Sequence, residues 1–288
     1  MSRTLLLALT ASLVLAGCGK DAAEQQTNVA ESKRPWAEFA ATVIDDYYAR
    51  NPETAVDAGL HQYDGQMSDL GMAAVDEYAA WLDAVLAEAA TYADLEGIEA
   101  FERDYLSTAL QGELFWIRES GFLTSNPLAY AGAIGISVYV DREYAPLDQR
   151  LLAYTQYMEQ VPAMLEQMKK NLQPPLPAPY VEMGHRVFSG LVEYLSTTVP
   201  GIFLPVADEQ LQRRFKAAND AAVEAIQQSV EWLDGVKASA TDEFALGEEA
   251  FLKMLSATQG VNISLEELTA AGQRNLDPNL DMLYEACA

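Results

Sequence analysis

Residues 208–236 read DEQLQRRFKAANDAAVEAIQQSVEWLDGV and carry apolar side chains at intervals of four and seven residues. These side chains are Leu211, Phe215, Ala222, Ile226 and Leu233. Intervals of this kind place the apolar side chains on one face of an α-helix, because the helix has about 3.6 residues per turn. The segment therefore predicts one long amphipathic helix that buries this face against neighbouring elements.

Apolar stripes with helical spacing recur through most of the chain. A proline-rich segment at residues 174–179 interrupts them and is predicted to be an extended connector. Three stripes precede it: Trp36, Phe39, Ala40, Val43, Ile44 and Tyr47; Val75, Tyr78, Leu82, Val85, Leu86 and Ala89; and Ile98, Phe101, Tyr105 and Ala109. Ser264 and Glu267 form a capping box that predicts the start of a further helix. The predicted fold is all-α, a multi-helix domain whose stripes form its core.

Residues 133–140, AIGISVYV, leave an alternative open. The segment is apolar and partly β-branched, so its propensity allows one short strand. Periodicity cannot distinguish a short buried strand from a buried helical segment. One short strand near residues 133–140 is therefore kept as a possibility within the all-α fold.

The N-terminus has the features of a bacterial lipoprotein signal. Arg3 precedes a short apolar run, and the segment Leu15-Ala16-Gly17 leads to Cys18. A positive start, a short apolar stretch and small residues before a cleavage point are typical of a secretory signal. We expect residues 1–17 to be removed, Cys18 to be acylated, for example with palmitate, and residues 18–35 to form a flexible tether. The residue after the cysteine is Gly19. An Asp at this position would indicate retention at the inner membrane, so an outer-membrane anchor facing the periplasm is predicted.

The composition limits the partners that this chain can have. Its formal net charge is −25, and removal of Arg3 with the signal would leave 17 Lys and Arg against 43 Asp and Glu, or −26. Nucleic acids and anionic headgroups both require clustered basic residues, so no nucleic-acid partner is expected, and contact with the membrane is expected through the acyl chains. Cys287 would be the one cysteine left after lipidation of Cys18, and the sequence assigns it no role.

Chemistry-bearing motifs are scarce. The chain has two histidines, His61 and His185. Glu182 and His185 have the spacing of a helical metal-ligand pair, but one such pair does not make a metal site, because further inward carboxylates would be needed. No His-Glu-x-x-His, Gly-x-Ser-x-Gly or phosphate-binding Gly-Lys-Ser/Thr motif is present. The residues alone therefore predict no catalytic residue and no metal ligand in this chain.

Several segments of the chain nevertheless follow one another in a characteristic order. The first is Asn51-Pro52 followed by Gly59-x-His61-x-Tyr63-Asp64. The central ones are Asn126-Pro127-x-x-Tyr130 and Asp141-Arg142-x-Tyr144-Ala145-Pro146-Leu147. The last are Ala245-Leu246-Gly247-x-Glu249, Phe251-x-Lys253-x-Leu255 and Leu265-Glu266-Glu267-Leu268. This order resembles that of the DUF885 family, over almost all of residues 36–285.

The resemblance implies the N-terminal half of a gluzincin-like helical fold. Family members look like zinc-dependent peptidases, many of them lipoproteins, with a His-Glu metal segment in the C-terminal half. This sequence has no matching segment, so the expectation is a chain, residues 36–288, truncated before the metal-binding half. Zinc is implied only for that half. Whether this chain is an enzyme is left open, and we expect it to be inactive alone.

Five polar residues in the matching segments are candidates for a cleft or structural cluster: His61, Tyr63, Asp64, Arg142 and Tyr144. Polar residues in connecting segments often carry function. Two interpretations follow. In the first, the chain forms one wall of a cleft for a peptide substrate and docks with a missing C-terminal half. In the second, it is a non-enzymatic, lipid-anchored helical binding or scaffolding protein.

Overall fold

Helices account for nearly all of the regular structure in the computed structural model, which describes residues 33–288. Cys18 and most of the predicted tether lie outside the described residues. In chain order the helices are α1 (Trp36–Arg50), α2 (Pro52–Asp57), α3 (Met72–Ala90), α4 (Gly97–Arg118), α5 (Phe122–Ser125), α6 (Leu128–Gly132), α7 (Ser137–Asp141), α8 (Leu147–Met158), α9 (Val161–Asn171), α10 (Ala178–Thr197), α11 (Val199–Phe203), α12 (Glu209–Lys237), α13 (Gly247–Gln259) and α14 (Leu265–Cys287). A 3₁₀ turn spans His61–Tyr63. The predicted all-α fold is confirmed.

The long helix α12 forms as its pattern predicts. Its N-cap residue Asp208 accepts hydrogen bonds from the backbone N–H groups of Gln210 and Leu211, at 2.9 and 3.0 Å. These bonds satisfy two of the donors that a helix start leaves free. The buried face of α12 includes Phe215, Ile226 and Leu233 and packs mainly against α10, α8 and α9. The helix is therefore a central element of the core.

Two groups of buried side chains form the hydrophobic core. The larger group, here the main core, is built chiefly from α6 to α12 and contains the fully buried rings of Tyr130, Tyr154 and Phe188. The smaller group, here the N-terminal core, joins α1, α3 and α4 through residues such as Phe39 and Leu82. Burial of each such side chain contributes roughly 1.5–3 kcal/mol, so both groups hold their helices firmly.

The strand allowed for residues 133–140 is wrong. The second half of this segment enters α7, and Val138, Tyr139 and Val140 are all buried in the main core. Within residues 33–288 the only β-type pairing is one isolated bridge between Pro177 and Thr241, so the segment has no partner strand. Arg150 instead satisfies the end of α7 by donating hydrogen bonds to carbonyl groups of that turn. Tertiary contacts thus override the β-propensity of these residues.

The third predicted stripe lies on the wrong face of its helix. On α4, Ile98, Phe101 and Tyr105 are 69%, 63% and 70% exposed. The helix buries Leu110 and Phe115 instead. Its later turns pack against α13 near Gly112, whereas the face that carries Ile98, Phe101 and Tyr105 is not covered by any of the described residues. The predicted stripe is therefore an exposed apolar surface rather than core.

Among the helices of residues 33–288, none combines the length and the apolarity that crossing a bilayer requires.

Candidate functional site

The segment that carries His61 is a tight turn held against the main core. Gly59 has φ of +91°, a backbone conformation that glycine adopts readily, and it lets the chain turn after α2. Gly65 closes the turn: its N–H donates to the hydroxyl of Tyr139 at 3.1 Å, and its carbonyl accepts from Gln160 at 2.7 Å. A Cβ at Gly65 would lie 2.8 Å from Cβ of Gln156, so only glycine fits. The turn is therefore fixed relative to α7 and α8.

Within this turn Asp64 joins His61 to Tyr144. One carboxylate oxygen of Asp64 lies 3.1 Å from Nδ1 of His61, and the other accepts a 2.8 Å hydrogen bond from the Tyr144 hydroxyl. The rings of His61 and Tyr144 stack in parallel, with centroids 3.6 Å apart and planes 3° apart. Asp64 therefore holds both rings in one orientation. We call these three residues the histidine cluster.

The chemistry of the histidine cluster follows from its hydrogen bonds. Since a carboxylate only accepts hydrogen bonds, the proton of a neutral His61 lies on Nδ1, and Nε2 has a free lone pair. Among the described residues, none forms a hydrogen bond with Nε2. Burial, followed by the hydrogen bond to Asp64, raises the pKa of Tyr144 well above its usual range. Tyr144 therefore stays neutral and donates, while Nε2 can accept from a ligand or coordinate one.

The other two predicted residues, Arg142 and Tyr63, make contacts that stabilise the fold. The Arg142 guanidinium donates to the carbonyl of Asp57 at 3.1 Å and lies 3.5 Å from its carboxylate. Asp57 is the last residue of α2, so this contact caps the C-terminus of that helix. Tyr63 packs, partly buried, against the main core. The structure thus brings three of the five predicted residues into direct contact.

A second polar group was missed by sequence reasoning. Tyr47 donates a 3.1 Å hydrogen bond to the carboxylate of Glu113, and Asn51 donates one of the same length to the Tyr78 hydroxyl. Burial raises the pKa of Glu113, and burial together with the nearby Glu113 charge raises the pKa of Tyr47 to about 12. Tyr47 and Tyr78 had been assigned to apolar stripes, so their hydroxyl groups gave no signal of a polar site.

His185, by contrast, has an exposed acidic neighbour. Its Nε2 lies 3.3 Å from the carboxylate of Asp234 on α12, and both side chains are partly exposed to solvent. Glu182 lines the same shallow cleft. Within residues 33–288, no group of three or more His, Cys, Asp or Glu side chains is arranged to hold a metal ion. The described residues therefore offer no ligand set for zinc, which the family resemblance implies only for the C-terminal half of family members.

Comparison with solved structures identifies a chain of the same fold. It is described as "a putative lipoprotein of unknown function from Shewanella oneidensis", with a TM-score of 0.71 and 21% sequence identity. The match covers 85% of this chain and 46% of that one, so this chain spans about half the length of its neighbour. Among curated proteins, no sequence matches significantly. The family model described as "Bacterial protein of unknown function (DUF885)" matches residues 52–285. Because this match spans most of the sequence, the chain belongs to the DUF885 family.

Proposed function

We propose that this chain is the lipid-anchored N-terminal portion of a zinc-dependent peptidase of the bacterial envelope. In this proposal Cys18 carries the acyl chains at the outer membrane, facing the periplasm. The described helices form one wall of a peptide-binding cleft, and further polypeptide supplies the zinc ligands. The chain alone is then inactive. Family membership and the lipoprotein description of the structural neighbour support the placement in the envelope.

The observation that carries the proposal is the uncovered apolar face of α14. Leu276, Leu280 and Leu283 recur at helical spacing on this helix, yet none of its 23 residues is buried. An amphipathic helix normally gains most of its stability from packing of its apolar face. The exposed stripe of α4, formed by Ile98, Phe101 and Tyr105, also lacks cover within the described residues. Two such surfaces are what a docked second half would cover.

The histidine cluster supplies the contact with substrate in this proposal. Asp64 and Tyr144 hold the imidazole of His61, and its free Nε2 accepts a hydrogen bond from a peptide N–H. Polar groups that are held rigidly by their neighbours are suited to positioning a substrate. His61 is thus a binding residue of the cleft wall, and no step of hydrolysis is assigned to it.

Lipid anchoring can be tested with the two cysteines. In bacteria supplied with labelled palmitate, the wild-type protein and the matched variant Cys287→Ser are expected to incorporate label and to sediment with outer membranes. Cys18→Ser is expected to remain unlabelled. Label in Cys18→Ser equal to wild type would contradict the anchor.

A test of the peptidase proposal requires the protein that is encoded by the whole open reading frame. We expect that protein to contain one equivalent of zinc and to cleave peptides, and the 288-residue chain to do neither. His61→Ala is expected to raise KM by about threefold to tenfold, the effect of one lost hydrogen bond. The matched variant His185→Ala, which removes the other Asp-paired histidine, should leave KM unchanged. A reading frame that stops after Ala288, or a zinc-free and inactive product, would instead favour the binding or scaffolding interpretation.

A further inference from the structure

A cavity of about 320 Å³ lies where the two hydrophobic cores meet. Tyr78 and Ile117 reach it from the N-terminal core, and Leu70 and Leu123 reach it from the main core. Glu113 is also among its lining residues. The volume is at the lower end of the roughly 300–1,000 Å³ found for small-molecule sites, so it suits a ligand of about the size of an amino acid or short peptide end.

The carboxylate of Glu113 is not neutralised in this cavity. It is partly buried, and among the described residues its hydrogen-bond partner is the Tyr47 hydroxyl alone. No Lys, Arg or His of the described residues forms an ion pair with it. A carboxylate has about four acceptor positions, and removing its charge from water is costly unless a cation or several donors replace the water. Glu113 therefore has unused capacity for a cationic donor.

The other charged groups near the cavity are engaged elsewhere or remain exposed. Asp69 accepts hydrogen bonds from the Gly71 N–H and from Gln167. Arg50 is exposed, and its guanidinium lies 5.0 Å from the centroid of the Trp81 ring. Glu77 lines the cavity with an exposed side chain. Glu113 is thus the partly buried charge that a ligand would meet inside.

Tyr78 offers a second oxygen to the same ligand. Its hydroxyl oxygen accepts one hydrogen bond, from Asn51, and keeps a second lone pair. Burial and the nearby Glu113 charge raise the pKa of Tyr78 far above its usual range, so the hydroxyl remains protonated. An ammonium group has three N–H donors to distribute between a carboxylate and a hydroxyl oxygen.

We propose that this cavity binds the primary ammonium group of an aliphatic amine, through an ion pair with Glu113 and a hydrogen bond to Tyr78. The ammonium group can belong to a small free amine or to the amino terminus of a peptide. The strongly negative net charge of the chain raises the local concentration of such cations. This inference does not depend on the peptidase proposal, since it concerns binding by the chain alone.

The experiment is calorimetric titration of the purified 288-residue chain with three probes: n-butylamine, tri-alanine with a free amino terminus, and N-acetyl-tri-alanine. Binding of at least one of the two free amines, and none of the acetylated peptide, is expected. Butylamine binding without tri-alanine binding would identify a small amine as the ligand. The opposite result would identify a peptide amino terminus.

Variants locate the binding site. Glu113→Gln is expected to weaken binding by about tenfold or more, as for loss of a desolvated charge pair. Glu99→Gln removes the same charge from an exposed position of α4 outside the cavity and should leave binding unchanged. Tyr78→Phe, which keeps the ring, is expected to weaken binding by a smaller factor and serves as the test if Glu113→Gln does not fold. Absence of binding by both amines, equal binding of the acetylated peptide, or undiminished binding by the folded Glu113→Gln variant would overturn the proposal.

Discussion

Helices α12 and α14 have similar sequence signals and opposite surroundings. Each is long, amphipathic and capped by a side chain at its N-terminus, Asp208 in α12 and Ser264 in α14. The apolar face of α12 is buried in the main core, whereas α14 buries no residue. Local sequence signals therefore specify where a helix forms, while the availability of neighbouring elements decides whether its apolar face is covered.

The largest expected difference between the two helices is in the cost of removing a leucine. Leu233 in α12 is 0% exposed and Leu280 in α14 is 37% exposed. Leu233→Ala is expected to lower the free energy of unfolding by about 2–5 kcal/mol, through lost burial and a cavity. Leu280→Ala should change it by less than about 0.5 kcal/mol. Urea denaturation of both variants measures the difference, and equal costs would contradict the assignment of the two helices to core and surface.

A smaller difference is expected for the two N-caps. Asp208→Ala removes two hydrogen bonds at the start of a core helix, so a loss of about 0.5–2 kcal/mol in the free energy of unfolding is expected. Ser264→Ala disrupts the capping box of α14 but should leave the global transition unchanged, because α14 adds no buried side chain to the core. Circular dichroism during denaturation would show loss of α14 helix content without a shift of the main transition. A shift as large as that of Asp208→Ala would show that α14 unfolds together with the core.

The smallest effect concerns Glu113, whose environment differs from that of the exposed acidic residues of α14. Burial raises its pKa in the folded state above the unfolded value. The folded protein therefore binds this proton more tightly, and its stability rises as the pH falls from neutral through the raised pKa. Glu113→Gln should remove this part of the pH dependence and be at least as stable as wild type at pH 7. A lower stability of Glu113→Gln at pH 7, measured by thermal unfolding, would contradict this sign.

The sequence predicts helices better than it predicts their buried faces. The intervals between Phe215, Ile226 and Leu233 were sufficient to predict the buried face of α12, because other helices pack around this helix. The same reasoning is wrong for Ile98, Phe101 and Tyr105, since no described element covers the face of α4 that carries them. It also could not choose between strand and helix for residues 133–140, where Arg150 and the surrounding core decide the outcome.

The two polar groups show a similar limit. The family motifs single out His61, Asp64 and Tyr144, and the fold brings Tyr144 into contact with the other two across at least 80 residues of sequence. Periodicity alone gave no indication of this contact. Glu113 and Tyr78 were missed because the tyrosine fits an apolar stripe and the glutamate looks like part of a solvated helix face. Only the tertiary structure shows that both line one cavity.

In the proposed function, the apolar face of α14 is a docking surface for further polypeptide of the same protein. Amide hydrogen exchange of α14, in the 288-residue chain and in the protein encoded by the whole reading frame, tests this docking. We expect the α14 amides to exchange at least about tenfold more slowly in the longer protein, because opening the helix then requires loss of buried contacts. Equal exchange rates for α14 in the two proteins, with α12 equally protected in both, would contradict the claim.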